Sequence, residues 1–146
     1  MSLFEHYAPR GLECVCGNLR MAARAVSSIY DRHLKAVGLQ SSQMAVLWAV
    51  AGRRSAPVNE IAGVIAMDET TLLRNLRVLE RRRLVAFHVG DDRRERIVQL
   101  TAEGRALFES ALPAWKEAQG EVAKVLDGGS VDDMNRKLVR LTRSLR

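Results

Sequence analysis

Residues 68–101, DETTLLRNLRVLERRRLVAFHVGDDRRERIVQLT, join a helical pattern to a β-hairpin pattern, and this combination decides the fold. Leucines recur at helical spacing in the first half, whereas LVAFHV and RIVQL alternate apolar and polar residues on either side of the polar connection GDDRRE. Eight of the nineteen arginines of the chain lie in this stretch. An amphipathic helix that leads into a basic hairpin is typical of a phosphate-binding surface.

Length and composition restrict the class of protein. The 146 residues predict one globular domain, residues 1–146, and a net charge of +6 with a pI near 10.0 favours a polyanionic partner. Because the chain has no apolar run of membrane-spanning length and no signal-peptide pattern, we expect a cytoplasmic protein without a membrane partner. Common catalytic motifs are missing, which argues against an enzyme, and we expect no cofactor and no metal site.

Helical periodicity recurs on both sides of this stretch. The predicted helices span about residues 13–37, 42–52, 60–66, 69–82, 102–127 and 131–145. We expect four residues to cap the helices that follow them: Ser41, Asn59, Asp68 and Thr101. Gly38 and Gly52 should end the helices before them. Pro113 should kink the long helix after Thr101, which Gly128 and Gly129 should end before Ser130 starts the last helix.

The order of these elements predicts a mainly α (α+β) fold. The third and fourth helices form a helix–turn–helix and the hairpin forms a wing, within about residues 40–100. The helices at about residues 11–38 and 102–146 have no sheet to cover, and the last one carries a narrow apolar seam: Val131, Met134, Leu138, Leu141 and Leu145. We therefore predict a homodimer whose two fourth helices lie about 34–36 Å apart, one turn of duplex DNA.

The outer face of the predicted fourth helix is polar and carries few acidic residues. It comprises Thr70, Thr71, Arg74, Asn75 and Arg82 among others. One interpretation is a solvated face whose arginines pair with nearby acids: Glu80, Asp91, Asp92 and Glu95. We favour contact with double-stranded DNA, because the basic face continues from the helix into the hairpin.

Two motifs resemble the MarR family of bacterial winged-helix transcription regulators. DDRRERIVQLTAEG is similar to the family's D-x-R wing followed by L-T-x-x-G, and TTLLRNLRVLERRRLV is similar to its recognition helix, which ends in L-E-x-x-G-L-V. The resemblance extends over nearly the whole chain. One departure is Arg83, which occupies the position of the family's usual glycine. A non-glycine residue adopts a left-handed helix end at a cost of about 1–2 kcal/mol.

The resemblance implies a winged helix–turn–helix fold with long N- and C-terminal dimerisation helices. It also implies a homodimer that binds a pseudo-palindromic operator, usually as a repressor, and releases it when a small ligand or an oxidant changes the spacing of the reading heads. By the same resemblance, Thr71 and Arg74 contact DNA from the recognition helix, Asp92 orients the wing, and Arg94 enters the minor groove. The expected DNA-binding set is Thr70, Thr71, Arg74, Asn75, Arg77, Arg82, Asp92, Arg93 and Arg94.

The control of DNA binding is predicted less specifically. The resemblance suggests a pocket for small aromatic acids between the dimer helices and the winged part, to which Arg20, Met44 and Trp48 are assigned as candidates. Cys16 lies about where peroxide-sensing repressors of this family keep their reactive cysteine, although the tyrosine that follows it there is Arg20 here. The alternative interpretation is that Cys14 and Cys16 are small buried apolar residues.

A further alternative comes from another functional class. A winged-helix module can also bind protein or RNA without operator specificity, because a fold does not determine its function. Salt dependence and sequence preference distinguish this alternative from a transcription regulator.

Overall fold

A computed structural model describes residues 1–126 and 131–145. Its helices are α1 (Leu3–Tyr7), α2 (Val15–Leu34), α3 (Ser41–Arg53), α4 (Val58–Val64), α5 (Glu69–Arg81), α6 (Ala102–Val125) and α7 (Val131–Ser144). Its strands are β1 (Ala56–Pro57), β2 (Val85–Val89) and β3 (Arg96–Leu100), and short 3-10 turns cover Ala8–Glu13 and Lys35–Val37. The predicted mainly α fold with a winged helix–turn–helix is confirmed.

The core lies where α3, α4 and α5 meet the sheet. Leu47 of α3, Ile61 of α4, Leu72 and Leu76 of α5, and Val98 of β3 are fully buried. Because the leucines of α5 recur at three- and four-residue steps, burying them leaves one polar face of the helix in solvent. The core therefore determines which face of α5 is available to a partner.

The sheet has three antiparallel strands in the order β1-β3-β2. The predicted hairpin is confirmed, with Phe87 opposite Val98 and Val89 opposite Arg96. Ala56 and Pro57 form a third strand, since Ala56 pairs with Val98 on the other side of β3. The base of the wing is thus joined to the segment between α3 and α4.

Two of the four predicted helix caps are correct. The Asp68 carboxylate accepts a hydrogen bond from the Thr71 amide at 2.9 Å, and the Thr101 hydroxyl accepts one from the Gly104 amide at 2.9 Å. Gly38 also ends its helical segment as predicted, with a φ of 68°. These predictions are correct because capping is a local interaction within about four residues.

The caps predicted at Ser41 and Asn59 are wrong. Helix α3 is capped at Gln40, whose amide donates to the Gln43 side chain at 3.0 Å, while the Ser41 amide donates to Asp31 at 2.6 Å. Helix α4 starts at Val58, directly after Pro57, so that Asn59 lies inside its first turn. A carboxylate brought in from α2, and a proline with its fixed φ, replace the local caps.

Gly52 does not end α3, which continues to Arg53. Helix α6 passes through Pro113 without interruption, and the predicted kink stays a prediction. The predicted break at Gly128, Gly129 and Ser130 lies outside the described residues. No helix in residues 1–126 or 131–145 is both long enough and apolar enough to cross a membrane.

Helix α2 packs against α6, and α6 also contacts β3 of the sheet. Four residues of the predicted seam of α7 are exposed in the single chain, Met134, Leu138, Leu141 and Leu145, whereas Val131 is half-buried. Val15, Leu19 and Val26 of α2 are exposed as well.

Candidate nucleic-acid interface

Helix α5 is held at its start by the Asp68 cap. Hydrogen bonds from Thr71 hold the pKa of the Asp68 carboxyl below its usual value, and the positive charge of Arg74 acts in the same direction. Asp68 and Glu69 place negative charge at the helix N-terminus, where the macrodipole favours it. The cap thus fixes where the first turn of α5, with Thr70 and Thr71, begins.

The end of α5 is a left-handed turn without glycine. Arg83 has a φ of 59°, its amide donates to the Glu80 carbonyl at 2.8 Å, and the Leu84 amide donates to the Leu79 carbonyl at 2.9 Å. This pair of bonds is a Schellman motif, and Leu79 and Leu84 are both buried, as the motif requires. The turn typical of the family therefore forms in spite of the arginine.

Helix α6 fastens this turn to the base of the wing. The Thr101 hydroxyl donates to the Arg83 carbonyl at 2.6 Å, and the Thr101 amide donates to the Leu84 carbonyl at 3.1 Å. A Cβ added at Gly104 would lie 1.8 Å from the Leu84 carbonyl oxygen, so only glycine fits there. The L-T-x-x-G motif therefore holds the end of α5 against the base of the wing.

The wing tip is organised by Asp92. Its carboxylate accepts a hydrogen bond from the Arg94 amide at 2.9 Å, and its carbonyl accepts one from the Glu95 amide at 2.8 Å. The Gly90 amide closes the loop on the Glu95 carbonyl at 3.1 Å. These bonds curl the tip so that Arg93 and Arg94 stand exposed at its end.

A basic trough runs between α5 and the β2–β3 hairpin. Its volume is about 510 Å³, and its lining comprises Arg77, Glu80, Arg81, Phe87, His88, Val89 and Arg96. Arg81, His88 and Arg96 were not among the residues predicted to bind DNA. The signal for Arg81 was available, because it lies four residues after Arg77 on the same helix face. His88 and Arg96 reach the trough only through the strand register.

In the described residues, none of the eight arginines of residues 68–101 makes an ion pair within 4.0 Å. The ion pairs that the structure does contain lie in other parts of the chain. In the described residues, these arginines are therefore not paired with Glu80, Asp91, Asp92 or Glu95. Unpaired guanidinium groups in a trough and at a hairpin tip form a surface of positive potential. Such a surface attracts a polyanion.

The structure separates the predicted contact residues into groups. Thr70, Arg74 and Arg77 are exposed on α5. Asn75 is half-buried, and its amide nitrogen lies 3.6 Å from the Met67 sulfur. Thr71 is half-buried as well.

Arg82 is turned toward the protein. Its guanidinium donates to the Gln43 side chain at 3.4 Å. A Cβ added at Gly38 would lie 3.6 Å from the same guanidinium. Arg82 therefore links the end of α5 to the start of α3.

Met44 and Trp48 line one cavity, as expected of neighbouring turns of α3. We call it the aromatic cavity; it has a volume of about 260 Å³ and is lined by Tyr30, Ser41, Met44, Ala45, Trp48 and Trp115. The Trp48 and Trp115 rings lie 4.9 Å apart, and burial raises the pKa of Tyr30. Arg20 is not part of the lining, because it precedes Tyr30 by ten residues of α2, about 15 Å along the helix axis.

Both cysteines are exposed, so the interpretation as buried apolar residues is wrong for the single chain. Cys14 caps α2, and its sulfur accepts a hydrogen bond from the Gly17 amide at 3.4 Å. They are exposed because the start of α2 extends beyond the core. Among the described residues, no cluster of His, Cys, Asp and Glu has the arrangement of a metal site.

Comparisons with known proteins agree with this geometry. The model of a winged helix DNA-binding domain matches residues 39–104. The M. tuberculosis transcriptional regulator MosR, solved with DNA, is 34% identical, with a TM-score of 0.81 over 90% of this chain and 96% of MosR. BpsR of Bordetella bronchiseptica is 26% identical, with a TM-score of 0.73 over 91% of this chain and 93% of BpsR.

A curated relative matches over a shorter stretch. The HTH-type transcriptional regulator YwoH of Bacillus subtilis is 29% identical over 91 residues, which is 62% of this chain and 66%, just under two thirds, of YwoH. Solved MarR-family regulators share the fold. These proteins are transcription regulators and not enzymes. By its motifs, its fold and its likeness to MosR, the chain belongs to the MarR family of winged-helix, DNA-binding transcription regulators.

Proposed function

We propose that the protein is a homodimeric repressor that binds a pseudo-palindromic operator and releases it when a small aromatic acid binds. The unpaired basic surface formed by α5, the trough and the wing tip is the observation that carries the proposal. Its arginines have no ion-pair partner within 4.0 Å in the described residues, although the chain forms ion pairs elsewhere. A duplex operator supplies the missing negative charge.

In the proposed surface, different residues contact the bases and the phosphate backbone. Thr71 and Arg74 on α5 face the major groove, where arginine forms bidentate bonds to guanine and a threonine hydroxyl bonds a base or a phosphate. Arg94 at the wing tip enters the minor groove. The trough, with Arg81 and Arg96, carries the phosphate backbone between the two grooves. Its contacts add affinity without sequence preference.

A second copy of the chain is supported by the exposed apolar surface of α2 and α7. Leu138 and Leu141 are 38% and 36% exposed in the single chain, and Val15 is 65% exposed. Exposed apolar side chains at helical spacing gain free energy when they are removed from water. Two-fold pairing through these helices would give two α5 helices that read two half-sites.

The aromatic cavity is the proposed effector site. Its walls are Trp48, Trp115 and Met44, and its polar residues are Ser41 and Tyr30, whose hydroxyl donates to the Gln119 side chain. DNA binding by the similar regulator BpsR is regulated by 6-hydroxynicotinic acid. The cavity lies between α2 and α6 on one side and α3 of the winged part on the other, so an occupant can alter how the two parts pack.

The proposed function is tested by footprinting the full-length protein on DNA upstream of its own gene. We expect one protected duplex site with a Kd of about 10⁻⁸ M or lower, and steep weakening as salt is raised. Arg81→Ala should reduce the salt dependence by about one phosphate contact while leaving the sequence preference unchanged. Equal affinity for unrelated duplexes, or stronger binding to RNA, would refute the operator proposal and favour the general binding module.

Thiol-based sensing is a second candidate function, favoured by the exposure of both cysteines. Hydrogen peroxide would transfer one oxygen atom to the Cys16 sulfur, giving a sulfenic acid and water, and this change at the start of α2 would alter the dimer helices. The test compares operator binding by wild type and Cys16→Ser before and after peroxide treatment. If treated wild type keeps its free thiols and binds unchanged, sensing through Cys16 is refuted.

A further inference from the structure

The side chain of Asn75 is bonded to a residue outside its own helix. Its amide Nδ2 donates a hydrogen bond to the Met67 sulfur, eight residues earlier in the chain, over 3.6 Å. Met67 belongs to the connection between α4 and α5, which is the turn of the helix–turn–helix. Asn75 lies near the middle of α5, on the same face as Thr71. A candidate for base recognition is thus held by the turn that precedes its helix.

Met67 is fixed in place through both its backbone and its side chain. Its amide donates to the Ala62 carbonyl of α4 at 3.1 Å, and the preceding Ala66 has a φ of 55°. Its side chain is half-buried and packs against the core. Met67 also directly precedes Asp68, whose carboxylate caps α5. The Met67 sulfur therefore has a defined position relative to the start of α5.

The bond to Met67 leaves the other hydrogen-bonding groups of the Asn75 amide available. In the described residues, the Asn75 Oδ1 accepts no hydrogen bond, and no buried side-chain nitrogen or oxygen lacks a partner. Because Asn75 is only half-buried, it follows that its Oδ1 reaches solvent. An amide nitrogen carries two hydrogens, so one N–H also remains for a partner. Asn75 thus offers one acceptor and one donor side by side.

The sulfur selects one of the two orientations of the Asn75 amide. A half-turn about the last torsion of the side chain would exchange Nδ2 and Oδ1, and it would place the oxygen against a sulfur that has no hydrogen to donate. The major-groove edge of adenine presents an acceptor at N7 and a donor at N6, and one asparagine amide can contact both. A fixed amide presents its donor and acceptor in one order, whereas a rotating amide does not.

We propose that Met67 is a positioning residue for base recognition, whose sulfur orients the Asn75 amide so that Asn75 reads an adenine. The Asn75 Oδ1 accepts from the adenine N6, and the remaining N–H donates to N7. Met67 itself touches no base. The inference rests on the proposed function, because it requires a specific operator, and it names one determinant of that specificity. The phosphate contacts of the trough, in contrast, carry no sequence preference.

The test measures the base preference of the full-length protein by fluorescence anisotropy. The footprinted operator is compared with duplexes in which each base pair of the two half-sites is replaced in turn. At one A·T pair, replacement should weaken wild-type binding by about tenfold or more, and Asn75→Ala should abolish this preference. Met67→Leu keeps an apolar side chain of similar volume but removes the acceptor, so it should reduce the preference at the same pair by about threefold or more.

Three further variants separate positioning from a merely structural role. Met67→Gln supplies an oxygen acceptor on a side chain of similar length, so it should retain the preference that Met67→Leu loses. In the Asn75→Ala background, Met67→Leu should have no further effect on the preference, because both changes act on the same base contact. Met21→Leu is the matched control, since it makes the same substitution on α2 and should leave the preference unchanged.

A measurement without DNA tests the orientation of the amide by itself. In NMR spectra of the ¹⁵N-labelled protein, Met67→Leu should shift the Asn75 side-chain amide signals and increase the mobility of that group. Unchanged signals overturn the proposal, as does a wild-type preference that Met67→Leu leaves intact. Equal weakening of every duplex by Met67→Leu overturns it as well. A wild type that binds all duplexes equally refutes the operator proposal too, so the two failures are distinguishable.

Discussion

The surface formed by α5 and the β2–β3 wing, here the α5–wing surface, and the α2–α6 helix pair contain the same charged residue types. The charges are paired in the helix pair and unpaired on the surface. Across the helix pair, Arg32 bonds Glu121, and His33 lies 2.8 Å from Glu121 and 3.5 Å from Glu117. On the α5–wing surface, acids such as Glu80 and Asp92 are close in sequence to many arginines, yet no ion pair forms there in the described residues.

The ion pairs fix the packing of two helices, whereas the unpaired arginines remain available to a polyanion. Arg32 and Glu121 are 89 residues apart in the chain, so their contact helps to fix how α2 lies against α6. On the α5–wing surface, the Asp92 carboxylate instead accepts a hydrogen bond from the Arg94 amide, which shapes the wing, and the Arg94 guanidinium makes no ion pair in the described residues. Free like charges repel one another, and a polyanion relieves that repulsion.

The largest expected effect comes from removing a free arginine. Arg94→Ala should weaken operator binding by about 10- to 100-fold, since a good groove contact is worth about 1–3 kcal/mol. Fluorescence anisotropy with the footprinted duplex measures the affinity, and analytical ultracentrifugation checks that the dimer persists. Arg32→Ala is the control, because it removes a paired arginine and should change operator affinity less than about twofold. Equal losses in the two variants would abolish the distinction between the regions.

The left-handed turn at Arg83 should give an intermediate effect, on stability. Arg83→Gly should raise the free energy of unfolding by about 1 kcal/mol, because glycine adopts a positive φ without the Cβ clash. Arg83→Ala removes the same charge but keeps the clash, so it should not stabilise the protein. Urea unfolding of the two variants isolates the backbone contribution. If Arg83→Ala stabilises equally, repulsion between charges and not the backbone is the cause.

The smallest effect should come from the paired region, as a dependence of stability on pH. The Glu121 pKa falls from 4.5 to about 2, chiefly because Arg32 and then His33 hydrogen-bond its carboxylate. Because the pKa is lowered, the ionised Glu121 carboxylate stabilises the folded protein fully above pH 4.5, and this stabilisation is lost as the pH falls toward 2. Thermal melts of wild type should therefore drop more steeply in this range than those of Glu121→Gln. Parallel curves would show that the pair adds nothing to stability.

Local signals in the sequence located most of the winged part. Asp68 and Thr101 cap their helices through bonds to residues three positions on, and the alternating strands give the hairpin its register. Prediction failed where a distant residue competes. Asp31 takes the Ser41 amide, so the cap moves to Gln40. Sequence spacing alone could not show this, because Asp31 belongs to another helix.

In the candidate site, too, the predictions that rest on local periodicity are correct, and those that depend on contacts between distant elements are not. Outward positions on α5 follow from helical periodicity, which placed Thr70 and Arg74 correctly on the exposed face. Arg82 is also exposed, but it bonds Gln43 of α3. Arg20 was grouped with Met44 and Trp48, whereas the cavity takes Tyr30 from the same helix.

The sequence by itself determined the elements, the polar outer face of α5, the wing and the excess of positive charge, because these depend on periodicity, local caps and composition. Tertiary structure alone decided which charges are paired, how Arg96 joins Arg81 in one trough, and where the aromatic cavity lies. Each of these depends on side chains from elements far apart in the chain. Their distances are set by the packing of the whole core, which no local pattern specifies.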